Sequence, residues 1–359
     1  MKKLLCLVLV AACSGKYKAP PSVPQIDLPA GAQLKPYDPA KPGLPRPQAL
    51  VELNNKVWVT LTNSDPSTYA PAGPGFLAAV VPTTGAVDLV DLGGSGGKAC
   101  QNPGYLRAAG GKLYVSCSAD FSGPGSSLVE VDGTGKVTRI VALTTPPTQV
   151  AVSATKVWYG DAMSDMVRSI DLATFQTTTD AIELGCKTGT EGYPYHLVQD
   201  LLLEGSDLYA LCAADVGGTS TLSRLDPSTG VVRATVNVGP LPVAIASVGD
   251  GHIAVLTAGD SKLTMVTPSA SGMTAEPAFT FASQTSALQD LRSRNGFLYT
   301  VASGSNTVQK LDPHAQGGIQ VVGEKNVGAG ANPWNILPLD DDQALVTNWV
   351  AGNVVSVRW

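Results

Sequence analysis

An apolar or aromatic pair follows a turn signal seven times along this chain, each time within segments where apolar and polar residues alternate. The copies are NNKVWV at Asn54, GGKLYV at Gly110, ATKVWY at Ala154, GSDLYA at Gly205, DGHIAV at Asp250, RNGFLYT at Arg294 and DDQALV at Asp341. Marked at Trp58, Tyr114, Trp158, Tyr209, Ala254, Tyr299 and Leu345, they lie 56, 44, 51, 45, 45 and 46 residues apart. A repeat of that length is one supersecondary unit, the size of a four-stranded propeller blade. A helical solenoid would space its apolar residues by about 3.6, and these segments alternate instead.

Each copy divides into four strands. The first precedes the turn, as in QVAVS, PVAIAS and ALQDL, and the marked strand is second. The third ends in an apolar residue, then Asp, then Gly, as in SLVEVDGTG, TLSRLDPSTG and TVQKLDPHAQG. Asp, Pro and Gly there supply the side-chain caps and φ values of a tight reversal. Fourth strands follow as AVDLVDLG, KVTRIVAL, TTDAIELG, VVRATVNVG, AEPAFTFA and IQVVGEKNVG, and Pro103, Pro147, Pro194, Pro242 and Pro333 sit in the links between copies. That makes only six fourth strands, because the last copy ends on GNVVSVRW as its third. VPQIDLP (23–29) has the length and polarity to supply the missing one and to cover an otherwise open edge. The pattern therefore predicts an all-β fold: a seven-bladed β-propeller of four-stranded antiparallel blades over 48–359, closed by an N-terminal strand.

The ends change the picture of where such a body would work. MKKLLCLVLVAACSG places two lysines before an apolar run too short to span a bilayer, then small residues before Cys13. It resembles the bacterial lipobox, with Val10 where Leu is commoner. The resemblance implies a signal peptide over 1–12, acylation of Cys13 and a lipid anchor in the cell envelope. Ser14 in place of Asp leans toward the outer membrane, and nothing chooses its periplasmic or surface side. Residues 13–47 are rich in proline and read as a tether. Charged residues make up only 15% of the chain, its formal charge is −5, and no basic cluster appears, so nucleic acid is not an expected partner.

A turn, then LYV, then a polar loop, then an apolar strand closing on Asp and Gly resembles the Tyr-Val-Thr-Asn family of surface β-propellers. LVTN at Leu345 is the nearest copy, and LYVSC, LYALC and LYTVA are drifted ones. The resemblance covers roughly 48–359 and implies fold; its matching residues are strand core and turn formers. Related propellers include lactonases and quinoprotein dehydrogenase subunits. They imply an alternative reading as an enzyme with a site at the channel mouth, near His196, Arg107 and Arg292.

Four cysteines remain beyond Cys13, and the repeat selects among their three pairings. Cys100 and Cys186 each lie in the link after a fourth strand; Cys117 and Cys212 each end the next second strand. Both places belong to one propeller face, so Cys100–Cys117 and Cys186–Cys212 are expected, as staples in an oxidising compartment. Zinc is disfavoured by the lack of any CxxC.

No catalytic, cofactor or metal site is predicted. The three histidines do not converge by repeat position: His252 and His314 fall on the face opposite the staples, and His196 lies in a link near the channel. GGSGG at 93–97 fits the letters of a nucleophile elbow without the helix that one needs. Asp340–Asp342 reads as a turn, and Asp120, Asp161, Asp165 and Asp215 read as loop caps. What remains is loop length. The loops 60–75, 93–104, 116–127 and 185–196 are long, project from the stapled face and carry Tyr69, Phe121, Tyr193 and Tyr195. Trp334 and Trp349 map to the same face. The expectation is a non-catalytic envelope lipoprotein that recognises a protein or small ligand, with Tyr193, Tyr195, His196, Trp334 and Trp349 as candidate binding residues.

Overall fold

The computed structural model describes residues 25–121, 125–186, 196–214 and 217–359, with the backbone alone at His196. Seven antiparallel sheets follow one another up and down along the chain. Blades 1 to 6 span 47–91, 103–142, 147–183, 196–237, 242–280 and 288–326. Blade 7 takes three strands from 333–358 and its outermost from Gln25–Asp27, whose residues pair with Val355, Val354 and Asn353. First and last segments thus share one sheet, as the count of fourth strands required. The innermost strands touch all the way round, the seventh against the first.

Burial follows position in the blade. Second strands such as Lys56–Leu61 are buried on both faces, because each blade is packed between two others. Outer strands such as Gln176–Glu183 alternate exposed and partly buried. The core is accordingly divided into seams. One joins Trp58 and Leu77 of blade 1 to Leu113 and Val129 of blade 2. One of the largest buried side chains also links two blades: the Trp158 indole donates to the Pro227 carbonyl of blade 4 at 3.2 Å.

Two features distinguish the two faces of the propeller. Every inner strand carries one extra residue against its second strand near its start, as between Pro103 and Tyr105 or Pro333 and Asn335. Such a bulge re-aims side chains and sharpens the bend. Pro47, Pro103, Pro147, Pro242 and Pro333 open their inner strands, the position where a missing N–H costs no ladder bond. On the opposite face, the third strands close on capped turns. Asp132 accepts from the backbone N–H groups of Thr134 and Lys136, and Asp226 from those of Ser228 and Thr229.

Two segments depart from the pattern. The fourth strand expected over AEPAFTFA is split into Gly272–Ala275 and Phe279–Thr280. Pro277 between them has no N–H to donate, so the ladder is interrupted there. Residues 28–46, read from composition as part of a tether, lie folded over blade 1. Leu34 is fully buried in the seam of blades 7 and 1, Tyr37 donates to the Gly97 carbonyl at 2.6 Å, and Leu44 bridges Ser64.

Candidate recognition face

Both disulfides form as the repeat predicts, Cys100–Cys117 with Cα atoms 5.3 Å apart and Cys186–Cys212 at 6.0 Å. Cys117 pairs with Pro103 and Cys212 with Val198, the residues that begin the bulge in blades 2 and 4. LYVSCSAD and LYALCAAD thus put one staple at one place in two blades. Hydrogen bonds brace the same loops: Ser127 donates to the Ala99 carbonyl, Asn102 to Ser118, and Asn63 to the carbonyls of Leu34 and Pro74.

At the seam of blades 7 and 1 the face carries a stack of rings. Trp334 lies 5.9 Å from Trp349, and Trp349 lies 5.7 Å from Tyr69 with planes 12° apart. The Arg46 guanidinium sits 4.1 Å over Trp349 and 4.6 Å over Tyr69. Cation–π attraction of about 0.5–2 kcal/mol per contact favours this packing. Arg46 is 5% exposed and Trp349 8%, so both brace the face from beneath, while Trp334 and Tyr69 stay half-buried. Arg46 and Tyr69 hold positive φ values of 39° and 61°, and so does Phe121 at 63°. Bulky residues in that region are uncommon and gather at ligand-holding sites. The sequence named Trp334, Trp349 and Tyr69 by position. It gave no sign of Arg46, which arrives from the N-terminal segment.

The channel interior is charged and committed. Arg107 extends from blade 2 to donate to the Val150 and Leu201 carbonyls of blades 3 and 4, at 3.1 and 3.0 Å. Burial, reinforced by Arg292, pushes its pKa down against the pull of Asp200 and Asp290. Asp200 accepts from Ile245 N–H and Asp290 from Ile336 N–H, each bond joining one blade to the next. Burial pushes the Asp200 carboxyl up, opposed by Arg107 and Arg292. Arg292 donates to Asp290 at 3.2 Å. His196 begins its strand at the stapled end, two residues before the position level with Pro103 and Leu288, whereas Arg107 and Arg292 are fifth in theirs, roughly 20 Å farther down the channel. The three residues of the enzyme alternative are not gathered at one level.

The remaining candidates are placed as follows. Tyr193, Tyr195 and Asp215 lie outside the described residues, as does Cys13. Phe121 and Met163 are exposed on the stapled face, at 43% and 58%. Asp161 and Asp165 are buried caps: Asp161 accepts from Met163 N–H and Arg168, and Asp165 from Gly185 N–H. Gly94–Gly96 forms a single 3-10 turn, and Asp340 accepts from Asp342 N–H within its turn. His252 and His314, read as unrelated by repeat position, meet at Asp250: His252 Nδ1 lies 2.8 Å from one oxygen and His314 Nε2 3.6 Å from the other. The first turn of one blade lies beside the last turn of the next, as Asn54 also shows by donating to the Gly133 carbonyl. Among the described residues no group of three or more His, Cys, Asp or Glu side chains is arranged to hold a metal ion.

No known family's sequence profile matches the chain, and no curated protein matches it in sequence. Solved structures do. A catalytically inactive virginiamycin B lyase from Staphylococcus aureus, solved with quinupristin, is 11% identical and superposes with a TM-score of 0.65 over 94% of this chain and 99% of its own. Hydrazine synthase from Kuenenia stuttgartiensis is 14% identical, with a TM-score of 0.65 over 88% and 96%. BamB from Moraxella catarrhalis is 13% identical, with a TM-score of 0.54 over 87% and 82%. At these identities the likeness establishes the propeller fold alone.

Proposed function

We propose that this seven-bladed propeller is a non-catalytic recognition module of the bacterial cell envelope, held by a lipid on Cys13 and binding a protein or small ligand with its stapled face. One observation carries the reading: among the described residues, both disulfides, the folded-back segment 28–46 and the Arg46–Tyr69–Trp349–Trp334 stack gather on that face. Long loops braced on a rigid scaffold are the usual form of a binding surface. Two disulfides fit an oxidising, extracytoplasmic compartment. Among the described residues no helix is long and apolar enough to cross a membrane. Gln25–Asp27 runs toward the stapled face, since Asp27 pairs with Asn353 at that end. Gln25 therefore sits at the end of that strand away from the stapled face, which supports presenting the stapled face away from the membrane.

The enzyme reading draws support from one of the similar propellers being a lyase. Against it, the arginines and aspartates of the channel are occupied by backbone groups and by each other. The test is capture from native envelopes by the full chain, beside a Tyr193→Ala, Tyr195→Ala, Trp334→Ala variant and an Asn295→Ala control on the other face. Loss of a partner from the triple variant only is expected. Equal capture by all three would remove the stapled face from the account.

A further inference from the structure

The bulge near the start of each inner strand puts one residue per blade at the stapled end of the channel, second in the strand or aligned with it. In blades 1, 4, 5, 6 and 7 these are Gln48, Gln199, Val243, Gln289 and Trp334, all half-buried between buried neighbours on either side. Blades 2 and 3 place Gly104 and Thr148 there, so no residue of this ring is charged. Gln289 donates to Ser303, whereas the side-chain amides of Gln48 and Gln199 have no hydrogen-bond partner among the described residues. Below the ring, about 10 Å deeper along the strands, Arg107 reaches across to the Val150 and Leu201 carbonyls of blades 3 and 4. Three amides and one indole therefore share one level at the stapled end of the channel, above Arg107.

The chemistry of that ring selects a ligand class. An anion would call for a free guanidinium, yet Arg107 is bound by two carbonyls, Arg292 donates to Asp290, and Arg46 is stacked on Tyr69 and Trp349. A cation would call for a carboxylate, yet Asp200 and Asp290 are buried and joined to the amides of Ile245 and Ile336. An amide side chain both donates and accepts, which matches a hydroxyl group. An indole offers a broad apolar face at little cost in side-chain entropy, and Trp334 is held in place by Trp349 behind it. Resting on the recognition reading above, we propose that the stapled mouth of the channel binds a neutral saccharide. Trp334 stacks on a sugar ring, and Gln48, Gln199 and Gln289 exchange hydrogen bonds with its hydroxyls.

The test presents the full chain to an array of neutral hexose, N-acetylhexosamine and pentose oligosaccharides, then measures the best binder by calorimetry. Gln48→Ala and Gln199→Ala should each weaken binding about five- to tenfold, the worth of one hydrogen bond. Trp334→Ala should abolish binding while Trp334→Phe retains it, and Asn295→Ala on the opposite face should change nothing. Unchanged far-ultraviolet dichroism and thermal midpoint in each variant separate lost contact from lost fold. If no neutral saccharide binds, or if Trp334→Ala binds as tightly as the parent, or if Gln48→Ala and Gln199→Ala leave affinity unchanged, the proposal is overturned. A protein partner captured through the stapled face in the absence of any saccharide binding would overturn it too, while leaving that face as the recognition surface.

Discussion

The two faces of this propeller are made by one repeat and end in different structures. On the opposite face the turns are short and close on themselves, as at Asp132, Asp171 and Asp226, each accepting from a backbone N–H within its own turn. Hydrogen bonds from Ser228 and Thr229, together with Arg233, hold the Asp226 carboxyl well below the usual range. On the stapled face, connections are longer and are tied to other segments: by two disulfides, by Asn63 to residues 34 and 74, and by Arg46 to rings of blades 1 and 7. A turn closed by its own aspartate is ordered locally, even where it also accepts a bond from a neighbouring blade, as at Gly133, Leu172 and Pro227, and it changes little in length. A long loop loses more entropy on ordering, so it stays in place only where something holds it.

This contrast can be broken most forcefully at the staples. Replacing Cys100 and Cys117 by Ser, or Cys186 and Cys212, should cost about 3 kcal/mol per pair in the loop-entropy account. Denaturant midpoints with and without reductant would measure it, and no shift would mean that hydrogen bonding alone orders the face. Next in size is Glu130, inside the body between blades 2 and 3. Burial pushes this carboxyl up, but bonds from Arg139, Thr138 and Lys112 outweigh it and hold its pKa at about 2. A folded-state pKa below the ordinary 4.5 stabilises above that value and ceases to do so as pH falls toward 2. Glu130→Gln should remove about 2 kcal/mol at neutral pH and flatten the acid limb of the stability curve. Equal acid sensitivity in variant and parent would sink that assignment. The smallest effect belongs to a single exposed turn: Asp226→Ala should lower the thermal midpoint slightly and leave any stapled-face binding unchanged.

How much was legible in the sequence follows the same division. Strand order, ring closure by residues near 25–27 and both disulfide pairings were readable, because blade length, turn residues and cysteine positions recur with the repeat. Contacts between blades were less so. His252 and His314 occupy different turns of their own blades and meet only because neighbouring blades pack side by side. Arg46 sits in a proline-rich stretch that composition reads as spacer, and its role depends on rings some 20 and 300 residues away in the chain. The glutamines at the channel mouth carry no motif. They become a group only when the bulge in each inner strand brings one position per blade to the same level.

The central claim is that the stapled face, and not its opposite, is where this protein meets its partner. Photo-crosslinking in the native envelope tests it most directly, with the reactive side chain placed at Phe121, Met163 or Trp334 on one face and at Thr83, Ser228 or His314 on the other. Crosslinks to another molecule from the first three positions alone are the predicted result. Crosslinks from the opposite-face positions, with none from the stapled face, would contradict the account.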